Sequence, residues 1–240
     1  MHIISRSAFV NKIYQSLQST KELYVSSILY GDEYTGKKSL VKELYSSSTW
    51  VSGEDLEQVQ NALANHSQIV ITDFEKISNI DTVTFGNSNI VAISNRKELD
   101  SRIEDKFAFI YRMPPLTERD DDTKLYTDHF TNEAKELFNI NADIEIKKEY
   151  LDLSKNIKSL KSSIYKSVLL QNLSSDDICH TLYSYFIKNY NGANVYKDQL
   201  ELFEKPLIDA GLELYKSQLK LSEVLGINRN TLRKKINEYS

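Results

Sequence analysis

The sequence predicts an α/β chain, a parallel sheet wrapped by helices, followed by an all-helical region that ends in a helix-turn-helix. Three observations carry this. Short runs rich in β-branched and aromatic residues alternate with segments of helical periodicity in the first half of the chain; strand signals stop after Met113-Pro114-Pro115; and two apolar-periodic segments flank a glycine near the C-terminus.

Leu23 to Tyr30 (LYVSSILY) is the first expected strand. Lys37 to Tyr45 follows as a helix, because Leu40, Val41 and Leu44 recur at helical spacing. Thr49 to Val51 is a candidate short strand, and Leu56, Val59 and Leu63 make a second helix of Gly53 to Asn65. Gln68 to Thr72 (QIVIT), Asn89 to Ile93 (NIVAI) and Phe107 to Tyr111 (FAFIY) complete the buried strands. Strands alternating with helices imply parallel pairing. Thr117 to Tyr239 reads as helices, broken most clearly at Asn189 to Asn194 (NYNGAN). The expected organisation is an α/β domain over 1–116, a helical lid and linker over 117–190, and a separate helical unit over 198–240.

Composition narrows the function classes. With 240 residues, 40% hydrophobic, 27% charged, 7 Gly and 3 Pro, the chain is globular and not low-complexity. No apolar run approaches the roughly 20 residues of a membrane span, and the N-terminus lacks an apolar signal core, so no membrane contact and a cytoplasmic location are expected. Cys179 is the single cysteine, and no Cys/His cluster has zinc-ligand spacing, which fits a reducing compartment and predicts no structural metal. The net charge of −4 is uneven: residues 217–240 carry +3 and the rest −7. A basic end on an acidic body points to a nucleic-acid contact confined to the C-terminus.

Gly31-Asp32-Glu33-Tyr34-Thr35-Gly36-Lys37 fits GxxxxGK between a predicted strand and a predicted helix. Such a loop aims backbone N–H groups and a helix N-terminus at phosphate, while the lysine reaches the outer phosphates. Lys38 stands where the common form has a magnesium-binding hydroxyl, and Ser39 comes one residue late. The strand Ile69 to Thr72 ends in Asp73, the kind of aspartate that positions magnesium; Phe74 follows, and Glu75 points elsewhere if strand geometry continues. Gly31, Thr35, Gly36, Lys37, Lys38 and Asp73 are therefore the candidate ATP or ADP residues, with magnesium as the accompanying ion and no catalytic residue assigned.

At the C-terminus, Gln218 to Gly226 supplies a short helix through Leu219, Leu221, Val224 and Leu225. Gly226 permits a left-handed turn, and Asn228 can cap a second helix with Leu232 and Ile236 inward. The outward face then gathers donors for phosphates and base edges of double-stranded DNA. The candidates are Gln218, Lys220, Asn228, Arg229, Asn230, Thr231, Arg233, Lys234 and Lys235.

Leu202 to Tyr239 resembles the Fis-type DNA-binding domain at the C-terminus of bacterial enhancer-binding proteins of the NtrC kind, most closely in GINRNTLRKKI. The earlier chain is similar to the AAA+ domain of the same regulators: GDEYTGKKSLVKELY to their GESGTGKE loop and helix, VAISNRKEL to their sensor strand ending at Asn95, MPPLTERDDD to their PPLRER segment, and SKNIKSLKSSIYK to their lid helix, with Lys158 at the nucleotide-sensing arginine. The resemblance implies a P-loop AAA+-like fold with a helical lid, and dimerisation through about Gln199 to Tyr215. It also brings departures. No GAFTGA sequence occurs, and only 35 residues separate Lys37 from Asp73. Phe74 stands at the glutamate position, Arg102 is the one remnant of an arginine finger, and Lys38 reverses the charge of the glutamate usual there.

Three readings stay open on the sequence. One is a DNA-binding transcriptional regulator, a homodimer with RNA polymerase as a further partner, whose AAA+-like module serves assembly or nucleotide sensing and not sigma-54 remodelling. The others are an active AAA+ ATPase remodelling a transcription or replication complex, and a Fis-like architectural nucleoid protein.

Overall fold

The computed structural model describes residue 5 and residues 7–239. Residues 1–4, 6 and 240, which include the outer ends of the domains expected at 1–116 and 198–240, lie outside the described residues. The chain divides into two compact units, Met1–Asn172 and Leu173–Ser240.

The first unit opens with α1 (Ala8–Glu22), then β1 (Ser27–Tyr30), α2 (Lys37–Leu44), β2 (Thr49–Ser52), α3 (Leu56–Asn65), β3 (Gln68–Thr72), β4 (Asn89–Ser94), the short α4 (Ser101–Glu104) and β5 (Phe109–Arg112). The five strands form one sheet in the order β2-β3-β4-β1-β5, every pair parallel. Alternation along each strand feeds two apolar layers. Ile28, Ile69, Ile71, Ile90 and Ala92 pack with Val59 and Ala62 of α3 on one face; Leu29, Val70, Val91 and Ile93 meet Val10, Ile13 and Leu17 of α1 and Leu40 and Val41 of α2 on the other. Burial on both faces explains the unbroken apolar runs of β3 and β4. The short strand at Thr49 is real and forms one sheet edge.

Helices α5 (Asp120–Leu137) and α6 (Asn156–Gln171) follow. Tyr126, Phe130 and Ala134 recur every four residues on α5 and close on Leu160, Ile164 and Val168 of α6, a separate small core.

The second unit holds α7 (Ser175–Asn189), α8 (Val195–Gln199), α9 (Glu201–Tyr215), α10 (Gln218–Val224) and α11 (Arg229–Tyr239). Helix α7 groups with this unit, and the reciprocal capping box of Ser174 and Asp177 starts it as a fresh helix after α6. Ile208, Leu221 and Leu232 are its core, flanked by Leu212, Leu225 and Ile236. Among the described residues, no helix is long and apolar enough to cross a membrane.

Candidate functional site

The loop between β1 and α2 is held by three devices. At Gly31 a Cβ would fall 2.4 Å from the carbonyl oxygen of Met113, so only glycine lets the first turn pass β5. Gly36 caps α2 in the left-handed region, φ 97°. Between them, Arg119 donates to the Thr35 carbonyl (2.8 Å), Asn156 donates to the Glu33 carbonyl (2.9 Å), and the Ile157 N–H donates to the Tyr34 carbonyl (3.2 Å). Arg119 is itself paired with the fully buried Asp122 at 3.1 Å. These braces lie in the segments beginning Met113 and Ser154. Reading the sequence for phosphate and metal ligands alone passes over Arg119 and Asn156, although a charged residue beside the PPL motif was a usable signal.

Lys37 is only 3% exposed, and its ammonium donates to the carbonyls of Gly31 (2.8 Å) and Asp32 (2.5 Å), with Thr35 Oγ1 at 3.4 Å. Burial pushes its pKa down to about 8, against the pull of Glu75, Asp32, Glu33 and Asp73. The cation therefore stays protonated at neutral pH. Lys38 extends outward to Asp73 Oδ2 (3.3 Å), and Asn95 donates to Asp73 Oδ1 (3.0 Å). Lys158 donates to the Tyr34 hydroxyl (3.1 Å) and lies over that ring. Thr35, Gly36, Lys37, Lys38, Asp73, Asn95 and Lys158 line one cavity of about 740 Å³, with Lys161 and Tyr165 on its wall. Gly31 does not line it.

Two positions depart from strand geometry. Asp73 takes φ 52°, and residues 74–76 form a single tight turn, so β3 does not continue past Thr72. Phe74 turns into the core against Phe85 and Phe107, with ring centroids 6.4 and 5.2 Å away. The Glu75 charge helps hold up the Lys37 pKa, although Glu75 does not line the cavity. Arg102 is tied to Asp100 (3.0 Å) at the surface.

In the second unit, the Ser217 hydroxyl accepts the Lys220 N–H and starts α10; the chain turns at Gly226, and Asn228 Oδ1 accepts the Asn230 N–H (2.8 Å) to start α11. With Leu232 buried and Ile236 and Tyr239 inward, Arg229, Asn230, Thr231, Arg233 and Lys234 stand exposed together. Gln218 and Lys220 are exposed on α10, where the Lys220 ammonium lies over the Tyr215 ring. Lys235 does not share that face: it binds both carboxylate oxygens of Glu204 on α9 (2.6 and 2.5 Å). Lys235 and then the Tyr239 hydroxyl hold the Glu204 carboxyl below the usual range, while Glu204 pushes Tyr239 up to about 12.

Residues 199–239 match the family described as bacterial regulatory protein, Fis family. The C-terminal unit carries a Fis-type helix-turn-helix. The chain is similar to the DNA-binding protein Fis of Buchnera aphidicola subsp. Acyrthosiphon pisum (strain 5A), 40% identical over 60 residues, which cover 23% of this chain and 61% of that protein. Fis of the strain APS matches to the same extent. The chain thus spans less than two thirds of the length of these curated relatives. Among solved structures it is similar to NtrX from Brucella abortus in complex with ATP (TM-score 0.54, 11% identity, 100% of this chain and 69% of that one) and in complex with ADP (0.54, 10%, 99% and 69%). At such identities the likeness is one of fold: a five-stranded parallel AAA+-like sheet with helices, then the helical Fis-type region.

Proposed function

We propose that this chain is a sequence-specific transcriptional regulator of the cytoplasm that reads double-stranded DNA through α11 as a homodimer, with RNA polymerase as a further partner. The AAA+-like unit then serves assembly or nucleotide sensing and not sigma-54 remodelling, as the missing GAFTGA sequence implies. The observation that carries the reading is the exposed row Arg229, Asn230, Thr231, Arg233 and Lys234 opposite the buried Leu232. Such a helix seats its N-terminal residues on base edges in the major groove, while neighbouring cations hold the phosphates. Support for nucleotide sensing is the braced loop, the buried Lys37 and the cavity above them, which fit the phosphates of ATP or ADP.

The test is selection of bound sites from random DNA followed by gel shift at fixed salt. A defined operator should emerge, and Arg233→Ala should weaken it by about 1–3 kcal/mol with the fold intact. Binding that ignores sequence would favour the architectural reading. Unchanged operator affinity in the variant would remove α11 from the groove.

A further inference from the structure

In a nucleotide loop of this kind, magnesium needs oxygen ligands: a carboxylate at the end of the third strand and, in the common form, a hydroxyl following the loop lysine. Here the hydroxyl is absent and the carboxylate, Asp73, is already engaged. Asp73 Oδ2 receives the Lys38 ammonium at 3.3 Å, and Oδ1 receives the Asn95 amide at 3.0 Å with the Lys76 ammonium 4.0 Å away. The position after Lys37 carries that ammonium in place of an oxygen, and Ser39 stands about 100° further round α2. Thr35 Oγ1 donates to the Asp32 carbonyl (3.0 Å) and accepts from the Lys37 ammonium (3.4 Å). A dication brought to Asp73 therefore meets a cation already bound there, and the donor set does not fit magnesium.

We infer that Lys38 takes the place of the divalent cation, so that this chain binds a nucleoside di- or triphosphate as the metal-free anion. The inference rests on the nucleotide-sensing reading above and specifies its ligand form. Lys38 is 59% exposed on its side chain and its ammonium has three N–H donors, so it can keep its bond to Asp73 and still donate to an arriving phosphate. Lys37 beneath and Lys158 across the cavity add two more ammonium groups. These three ammonium groups, with Lys161 on the wall already paired to Glu133, do the neutralising that magnesium would share elsewhere. Asp73, held by Asn95, then anchors Lys38 and has no metal to hold.

Calorimetric titration of the full chain with ADP and with ATP, in magnesium chloride and separately in EDTA, tests this. Affinity should agree within about threefold between the two conditions. A larger fall in EDTA overturns the inference and leaves nucleotide sensing standing. Lys38→Thr, a surface change that spares the core, should lose about tenfold in EDTA; wild-type affinity of that variant in EDTA also overturns it. No heat in any condition sinks the nucleotide reading itself, and this inference with it.

Discussion

Burying Lys37 takes its ammonium out of water, and the two loop carbonyls that accept from it return only part of the lost hydration. The consequence for stability has a definite sign. With the folded pKa near 8 and the ordinary value 10.5, the unfolded chain holds more protons at this residue between those limits. The penalty is full below pH 8 and fades as pH rises toward 10.5. Urea midpoints of the wild type and Lys37→Met should therefore shift in favour of the wild type between pH 7 and pH 9.5; a constant difference would mean that Lys37 titrates normally. That Lys37, Lys38 and Asp73 gather at one cavity was legible from GxxxxGK and from the aspartate ending a strand, and the exposed basic row from the C-terminal helix. The surroundings of Glu75 and Lys235 were not. Each was read from the period of its own element, and each is redirected by tertiary structure, Glu75 by the left-handed turn at Asp73 and Lys235 by Glu204 on a different helix.

Helix α9 carries more apolar surface than the second unit covers. Phe203 is 62% and Leu214 76% exposed, Leu202 and Leu207 are also open, and no residue of α7 is buried although Ile178, Tyr183 and Ile187 lie along it. One helix-turn-helix also makes few contacts, so paired half-sites under a two-fold axis are the economical way to bind tightly. Phe203→Glu should leave α10 and α11 folded, because it stays outside the Ile208, Leu221 and Leu232 core, yet give a monomer in light scattering and weaken operator binding more than tenfold. A variant that remains dimeric would exclude α9 as the contact. The elements themselves were largely readable, since buried strands announce themselves as apolar runs. The N-terminal helix Ala8–Glu22 was missed because Val10, Ile13 and Leu17 are thinly spread among serine, glutamine and threonine. The last strand starts at Phe109 and not Phe107, because Phe107 is drawn into the aromatic cluster with Phe74 and Phe85.

On the proposed reading, the chain joins a Fis-type DNA reader to a nucleotide loop that senses and does not hydrolyse. Hydrolysis needs an oriented water, a base to align it, and charge stabilisation at the transferred phosphoryl group, commonly by an arginine from a neighbouring subunit. Phe74 fills the base position with a core side chain, and Arg102 lies at the surface beside Asp100 and not at the cavity. Glu75 is the remaining carboxylate next to Phe74; one of its oxygens is shut from solvent with no hydrogen-bond partner, and it does not line the cavity. Phosphate release by the full chain on its operator, with ATP and magnesium, should therefore be indistinguishable from background, and footprints taken with ATP and with ADP should coincide. Turnover near 1 per second would be in the ordinary range of working phosphoryl-transfer enzymes. If such turnover were found and vanished in Glu75→Gln, that carboxylate would be the base after all, displaced by one residue along the turn, and the unit would be an ATPase.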